Sequence, residues 1–280
     1  MVMMRPSFNR LFSAAPSLLP GGLLPPLRVV EEQVLGAAAA SVTFSSIDTK
    51  VPTGALHLVV LFNGHGTEAG ANPWDEVNLQ FNGDVGANYN REALDGFNVT
   101  SQAVRADGAT SIIIGTVPSD GTGGAADAQG GGWILIPHFA NTAKHKNALS
   151  GTGGAEFITS AIVGRWASTA AITSAVISAS GGNFTAGSRF VLCVVDERYN
   201  LASSILGADG TFSFTSISQN YGDLVVIGDL RTNRVSAGDG GLVQINGDTT
   251  ATNYFRQSLQ GLNAAAESDS ANSNGMSVCA

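Results

Sequence analysis

The amino-acid sequence contains an internal repeat, in which short segments of the first half recur in the same order roughly 165 to 170 residues later. Leu58-Val59-Val60 recurs as Leu224-Val225-Val226, and Phe81-Asn82-Gly83-Asp84 recurs as Ile245-Asn246-Gly247-Asp248. The spacing between matched segments changes by only a few residues, which is typical of a duplicated domain whose loops differ in length. The match can be followed to Gly261, and the stretch after it is polar and small. The sequence therefore predicts one complete domain and a partial second copy.

Short apolar segments separated by turn residues predict β-strands throughout the first copy. Ser41–Phe44 and Val77–Phe81 alternate apolar and polar residues, as half-buried strands do, whereas His57–Phe62 is continuously apolar and predicts a strand covered on both faces. Asn82-Gly83-Asp84 is strong turn chemistry, and only Tyr89–Leu94 suggests a helical turn. The other predicted strands are Ser111–Gly115, Trp133–Ile136, Phe157–Ser160, Ile172–Ser178 and Phe190–Val195. This pattern predicts a mainly β fold, an antiparallel β-sandwich of jelly-roll-like form.

Three segments follow from this pattern. Residues 1–28 hold three arginines, no acidic residue and several prolines, which predicts an extended, basic, proline-rich arm. Residues 29–196 form the predicted sandwich domain, and residues 197–280 form the partial second copy. Half a sandwich exposes an apolar face and unpaired strand edges, so we expect an assembly to cover it.

Composition narrows the class of partner. Only 13% of the residues are charged, and 35 are glycine, which predicts a surface of small neutral side chains suited to packing against copies of itself. The formal net charge of −8 disfavours nucleic acid as the main partner. No apolar run is long enough for a membrane span, and the two cysteines, Cys193 and Cys279, form no disulfide framework or zinc motif.

Several of these segments together resemble a recurrent β-rich domain of tailed-phage virion proteins. They are Leu35–Ala40 with Val42–Ile47, Phe81–Asp84 with Gly86–Tyr89, Trp166–Thr173 and Gly182–Phe190. The resemblance covers residues 29 to about 196, and its first half again from about 199 to 261. It implies a structural role in the tail, as a minor tail or fibre-associated protein, and it brings no catalytic residues with it.

Histidine motifs suggest chemistry that their surroundings do not support. Asn63-Gly64-His65-Gly66 is similar to the turns that supply oxyanion-hole amides in hydrolases, but the chain has no G-x-S-x-G nucleophile motif. His138 and His145, with Lys144 and Lys146, form a polar cluster without cysteine or carboxylate ligands nearby. We therefore interpret these residues as loop positions and predict no catalytic residue, no metal site and no cofactor.

Acidic residues are the remaining candidates for catalysis. A glycosidase would need two carboxylates facing each other across a sugar, and the candidates are Asp75, Glu76, Asp84, Asp95 and Asp196-Glu197. Asp84 and its repeat partner Asp248 both follow Asn-Gly, where a carboxylate commonly accepts hydrogen bonds from turn amides. A weak calcium site in that loop is the alternative.

The three tryptophans differ in their sequence context. Trp133 begins an apolar strand and is expected in the core, whereas Trp74 lies between Pro73 and Asp75 in a polar segment. Trp74, Asp75 and Asn78 are therefore candidate surface-contact residues, with Trp74 stacking on a sugar ring or anchoring a protein contact. Core packing of Trp74 is the alternative.

The sequence thus favours a non-enzymatic structural protein located in the virion, in the tail or a tail fibre. We expect it to assemble as a homo-oligomer and to contact other virion proteins, and its exposed loops are candidates for binding a host-surface glycan. A capsid decoration or head-fibre protein is the alternative. A secreted carbohydrate-binding module, or a glycan hydrolase, is the alternative from a different class.

Overall fold

The computed structural model describes residues 27–97, 100–154 and 158–195, and within the rest 202, 210–217, 226–227, 240–250, 255–262, 265–272 and 276–279. Within the first of these groups it forms twelve strands and one helical turn, α1 (Ile47–Lys50). Nearly all of the predicted arm therefore lies outside the described residues. The strands are β1 (Leu27–Val34), β2 (Ser41–Phe44), β3 (Leu58–Gly64), β4 (Trp74–Phe81), β5 (Tyr89–Phe97), β6 (Thr100–Ala109), β7 (Ile112–Pro118), β8 (Gly130–Ile136), β9 (Lys146–Gly154), β10 (Ile158–Trp166), β11 (Ala175–Ala179) and β12 (Arg189–Val195).

These strands form two antiparallel sheets, which confirms the predicted β-sandwich. The larger sheet has the order β1-β12-β3-β8-β9-β10-β5-β6, and the smaller has the order β2-β11-β4-β7. Four pairs define the core of the topology: β1 with β12, β2 with β11, β3 with β8, and β4 with β7. These eight strands thus form an antiparallel arrangement in two layers. The hairpins β5–β6 and β9–β10 are inserted into it and extend the larger sheet beyond β8.

Alternating apolar residues fill the space between the layers. On β2 and β4 every second side chain is buried, and Val42, Phe44, Leu79 and Phe81 belong to one continuous core. β3 is covered on both faces, as predicted, because Val59 packs in a second cluster with Val191 and Cys193 on the opposite face. Burying these side chains stabilises the fold by about 25 cal/mol per Å² of apolar surface.

Glycines allow strands of the larger sheet to approach the edge strand β7 of the smaller sheet closely. A Cβ atom on Gly164 of β10 would lie 2.4 Å from Cγ2 of Ile112, and one on Gly130 of β8 would lie 2.4 Å from Cδ of Pro118. Both distances are too short for any side chain. Gly130, Gly131 and Gly132 all lie within strand β8.

The Asn82-Gly83-Asp84 turn joins β4 to β5 through positive φ angles, 54° at Asn82 and 67° at Gly83. The side-chain oxygen Oδ1 of Asn82 accepts hydrogen bonds from the backbone N–H groups of Thr173 (2.8 Å) and Ser174 (3.1 Å). Oδ1 of Asp84 accepts one from the N–H of Gly86 at 2.8 Å. The turn carboxylate predicted from sequence therefore does bind turn amides.

Some element boundaries differ from the sequence prediction. Tyr89–Leu94 is not helical but lies in β5, where it pairs with both β6 and β10. Polar side chains on this inserted hairpin weaken the strand pattern, so β-sheet pairing, and not local preference, sets its conformation. β6 and β9, which also belong to inserted hairpins, were not predicted for the same reason, and β1 was not predicted either. Trp133 is only half-buried and lies outside the main core, whereas Trp166 is 3% exposed within it.

The described C-terminal stretches form β13 (Gly240–Val243), β14 (Phe255–Leu262), β15 (Ala265–Asn272) and β16 (Met276–Cys279). Leu262 pairs with Ala265 and Arg256 with Ala271, as Phe97 pairs with Thr100 and Arg91 with Ala106 at the same offset. In the same way Val243 pairs with Met276 as Leu79 pairs with Ile112. The backbone correspondence thus reaches residues 276–279, beyond the Gly261 at which the sequence match ends.

Turn geometry recurs as well. Asn246 and Gly247 have φ angles of 55° and 68°, close to those of Asn82 and Gly83. Oδ1 of Asp248 accepts a hydrogen bond from the N–H of Thr250 at 2.8 Å, which is the contact that Asp84 makes with Gly86.

Candidate ligand-binding cleft

β4 carries the three predicted surface-contact residues, but on two different faces. Trp74 and Asn78 are half-buried on the outer face of the strand, and Oδ1 of Asn78 accepts a hydrogen bond from the Ser111 hydroxyl at 2.9 Å. Asp75 faces inward and is 0% exposed. Its Oδ1 accepts hydrogen bonds from the N–H groups of Ser180 (3.1 Å) and Gly181 (2.9 Å). Asp75 and Trp74 lie on opposite faces because adjacent residues of a strand point in opposite directions. The two hydrogen bonds of Asp75 hold the loop between β11 and β12 in place.

Beside Trp74 lies a cleft of about 400 Å³ between β4 and β7 on one side and β10, β5 and β6 on the other. It exists because the inserted strands extend the larger sheet past the edge of the smaller one. Its lining is mixed, with aromatic, aliphatic and polar side chains: Asn72, Trp74, Glu76, Arg91, Asp95, Phe97, Gln102, Val104, Ile113, Gly115, Thr116, Ile158, Ser160 and Ile162.

Two aromatic rings form one end of the cleft. The Trp74 indole contacts the Phe97 ring edge-on, with centroids 4.8 Å apart and an interplanar angle of 69°. Edge-to-face pairs of this kind are favourable and hold both rings in place. Because Trp74 is only half-buried, part of its indole surface remains open to the cleft.

Polar side chains from five strands, β4 to β7 and β10, line the cleft. Thr116 is 5% exposed, and its hydroxyl has no hydrogen-bond partner among the residues that the structure describes. The same holds, within those residues, for the buried Nε of Arg91. A carboxylate oxygen of Asp95 accepts a long hydrogen bond, 3.4 Å, from the Gln102 side chain. A buried polar group without a partner costs about 1–3 kcal/mol, and such groups also occur outside the cleft among the described residues, at Oδ2 of Asp75 and at the Thr152 hydroxyl.

The charge in the cleft is slightly negative, since Glu76 and Asp95 face one guanidinium, that of Arg91. Nearby, burial raises the pKa of the Glu68 carboxyl, and the negative charges of Asp75 and Glu76 raise it further. The cleft therefore disfavours an anionic ligand.

The structure separates most acidic residues considered from sequence and brings two of them together. Glu76 and Asp95 both line the cleft. Asp75 is buried on the inner face of β4, and Asp84 lies in the turn between β4 and β5. Asp196-Glu197 lies outside the described residues. Nothing in the sequence pattern indicated that Arg91, Gln102 or Thr116 would line a site. The one available signal was that Arg91, Asp95 and Phe97 are separated by four and two positions, as side chains on one face of a strand are.

His65 is a buried link between loops. It is 1% exposed, its Nδ1 lies 2.8 Å from the carbonyl oxygen of Ala128, and its Nε2 lies 3.1 Å from Oδ1 of Asp120. Both partners are acceptors, so the ring donates to both only when both nitrogens carry a proton. These contacts fix the loop between β7 and β8.

The polar cluster around His138 is also structural. The His138 and His57 rings meet edge to face, with their centroids 4.9 Å apart. The backbone N–H of His138 donates a hydrogen bond to Nδ1 of His57 at 3.3 Å. Lys146 is 1% exposed, and its ammonium group donates to the carbonyl oxygens of Asn141, Lys144 (2.9 Å) and Thr169 (3.2 Å). No group of three or more His, Cys, Asp or Glu side chains in the described part of the chain is placed to hold a metal ion.

Neither a family model nor a curated protein nor a solved structure matches this chain. Among the described residues, no helix has the length and apolar character needed to cross a membrane.

Proposed function

We propose that the protein is a non-enzymatic structural component of a tailed-phage virion, part of the tail or of a tail fibre. The observation that carries this proposal is the strand order. When the two inserted hairpins are left out, eight strands remain, and here they are numbered 1 to 8 in chain order. In this numbering the larger sheet has the order 1-8-3-6 and the smaller sheet has the order 2-7-4-5. This order matches that of a jelly roll, an architecture of viral capsid and lectin domains, and so supports a viral structural role.

The low charge and the glycine-rich strands support assembly into an oligomer. Few charged residues reduce the desolvation cost of packing one copy against another. Within the described residues the larger sheet ends at β1 and β6 and the smaller at β2 and β7, and an end strand of a sheet is a position at which a neighbouring chain can pair.

We also propose that residues 197–280 are a partial second copy of the sandwich domain. The equal register of β14–β15 and β5–β6 supports this, as do the repeated φ angles of the Asn-Gly turn. The described strands β13, β14, β15 and β16 correspond in this order to β4, β5, β6 and β7.

Purified particles test the virion proposal. Peptides of this chain should be found in them by mass spectrometry, and gold-labelled antibody should mark the tail in electron micrographs. A copy number matching the capsid lattice would instead favour the capsid decoration or head-fibre alternative. Absence from particles, with secretion of the free chain, would overturn a virion role.

Catalysis is tested separately, because Glu76 and Asp95 share the cleft. We expect no hydrolysis of polysaccharide by the wild-type protein. Turnover that disappears in both Glu76→Gln and Asp95→Asn, but not in Asp127→Asn on an exposed loop, would overturn the non-enzymatic proposal.

A further inference from the structure

We infer that the cleft between β4–β7 and β10-β5-β6 is a binding site for a neutral sugar, a hexose or an N-acetylhexosamine at the end of a glycan. The inference rests on the lining of the cleft and is independent of where the protein is located. The cleft would bind the same ligand whether the protein is part of a virion or is secreted.

The shape and the aromatic wall fit a sugar ring. A cleft of about 400 Å³ lies within the range of small-ligand pockets, about 300–1,000 Å³. The C–H face of a pyranose is apolar and packs on an indole, and Trp74, held by Phe97, offers such a surface at the cleft end.

The polar lining matches hydroxyl groups. A sugar hydroxyl both donates and accepts hydrogen bonds, as do the side-chain amides of Asn72 and Gln102 in the cleft lining. The carboxylates of Glu76 and Asp95 can accept from hydroxyls, and planar carboxylate, amide and guanidinium groups suit two adjacent hydroxyls.

Other ligand classes fit less well. Two carboxylates against one guanidinium disfavour sialic acid, uronic acids and phosphates. A purely apolar ligand would remove the carboxylates of Glu76 and Asp95 from water without offering them hydrogen-bond donors, which costs free energy.

The chain itself offers an internal comparison. At the offset that relates Asn82-Gly83-Asp84 to Asn246-Gly247-Asp248, Trp74 corresponds to Gly238. At the offset that relates Asn88-Tyr89 to Asn253-Tyr254, which is one residue longer, Asp95 and Phe97 correspond to Gln260 and Leu262. The second copy thus lacks the aromatic wall, and we expect one sugar site per chain.

Saturation-transfer NMR and calorimetric titration of the full chain test this inference. The neutral probes are glucose, galactose, mannose, N-acetylglucosamine and N-acetylgalactosamine, and the anionic probes are glucuronic acid and N-acetylneuraminic acid. We expect at least one neutral probe to bind with a stoichiometry of one and more tightly than either anionic probe. No binding of any neutral probe, or preference for an anionic one, would overturn the inference.

Variants locate the binding. Trp74→Ala should weaken it roughly tenfold or more, because the stacking surface is lost. Trp133→Ala is the matched control, since that half-buried tryptophan lies outside the cleft lining, and it should leave affinity within about twofold. Asp95→Asn keeps the shape of the side chain and removes its charge and one acceptor oxygen, so it should weaken binding without unfolding the protein. Unchanged affinity in both Trp74→Ala and Asp95→Asn would overturn the assignment to this cleft.

Discussion

The indole N–H of Trp166 donates a hydrogen bond to Oδ2 of Asp84 at 2.7 Å, joining the end of β10 to the turn between β4 and β5. The same indole stacks near Tyr89, with ring centroids 6.4 Å apart and an interplanar angle of 15°. The Tyr89 hydroxyl in turn donates to the backbone carbonyl of Asp84 at 3.1 Å. One short turn is therefore held by two core aromatic residues, and through them it connects the two sheets.

Asp84→Asn should lower stability in a pH-dependent manner. The N–H donors of Trp166, Gly86 and Asn88 lower the pKa of the Asp84 carboxyl below its ordinary 3.8. The unfolded chain then binds this proton at higher pH, so the stabilisation is present above pH 3.8 and is lost as pH falls through the folded-state pKa. Urea midpoints should be lower for Asp84→Asn at pH 7 and converge with wild type in acid, whereas Asp127→Asn should follow wild type throughout. A difference that persists unchanged in acid would contradict this.

The buried ammonium of Lys146 should be a large single contribution to stability. Lys146→Met keeps the apolar stem but leaves the carbonyl oxygens of Lys144 and Thr169 without their donor. We expect a loss of about 3 kcal/mol in the free energy of unfolding, measured by urea denaturation. Lys144→Met, on an exposed neighbour, should change it by less than about 0.5 kcal/mol. Equal effects of the two substitutions would refute the role of the buried group.

His57 should contribute to loss of stability in mild acid. Burial, with a smaller effect from the charge of His138, lowers its pKa from the ordinary 6.5 to about 4. The unfolded chain binds the proton first, so stability due to His57 is constant above pH 6.5 and declines as pH falls from 6.5 to about 4. His57→Gln retains an acceptor for the His138 N–H and should flatten this part of the pH profile. His145→Gln, on an exposed residue, is the control, and an identical slope in both variants would argue against the prediction.

Cys193 should be unreactive in the folded protein. It is 1% exposed, and burial raises the pKa of its thiol to about 12, so almost no thiolate forms near neutral pH. In a Cys279→Ser background, Ellman's reagent at pH 8 should react with no thiol in native protein and with one per chain in guanidinium. Rapid reaction of the native protein would show that β12 opens readily.

The register of the β14–β15 hairpin tests the partial second copy. Gln260 lies opposite Glu267, as Asp95 lies opposite Gln102 in β5–β6. Cysteines at positions 260 and 267, in a Cys279→Ser background, should form a disulfide under mild oxidation. Cysteines at 260 and 266 should do so far less, because adjacent strand residues face opposite sides. Equal oxidation of the two pairs would be inconsistent with this register.

Sequence patterns predicted well those strands whose burial is regular. β2, β4 and β12 follow from alternating or continuous apolar residues, and the Asn82-Gly83 turn follows from residues that tolerate positive φ. β5, β6 and β9 carry too many polar residues for a periodic signal, and their pairing with distant strands fixes them. Asp75 illustrates the limit for single residues, since its polar segment indicated exposure while the strand turned it inward onto the Ser180 and Gly181 amides.

The sequence by itself determined the fold class, the turn residues and the internal repeat, because these depend on local preference and on periodicity along the chain. Only the tertiary structure decided that Trp74, Arg91 and Thr116 line one cleft. They lie on three strands of two different sheets, and the inserted hairpins bring those sheets together. Strand order and sheet curvature arise from pairing between residues far apart in sequence, for which a single sequence carries no local signal.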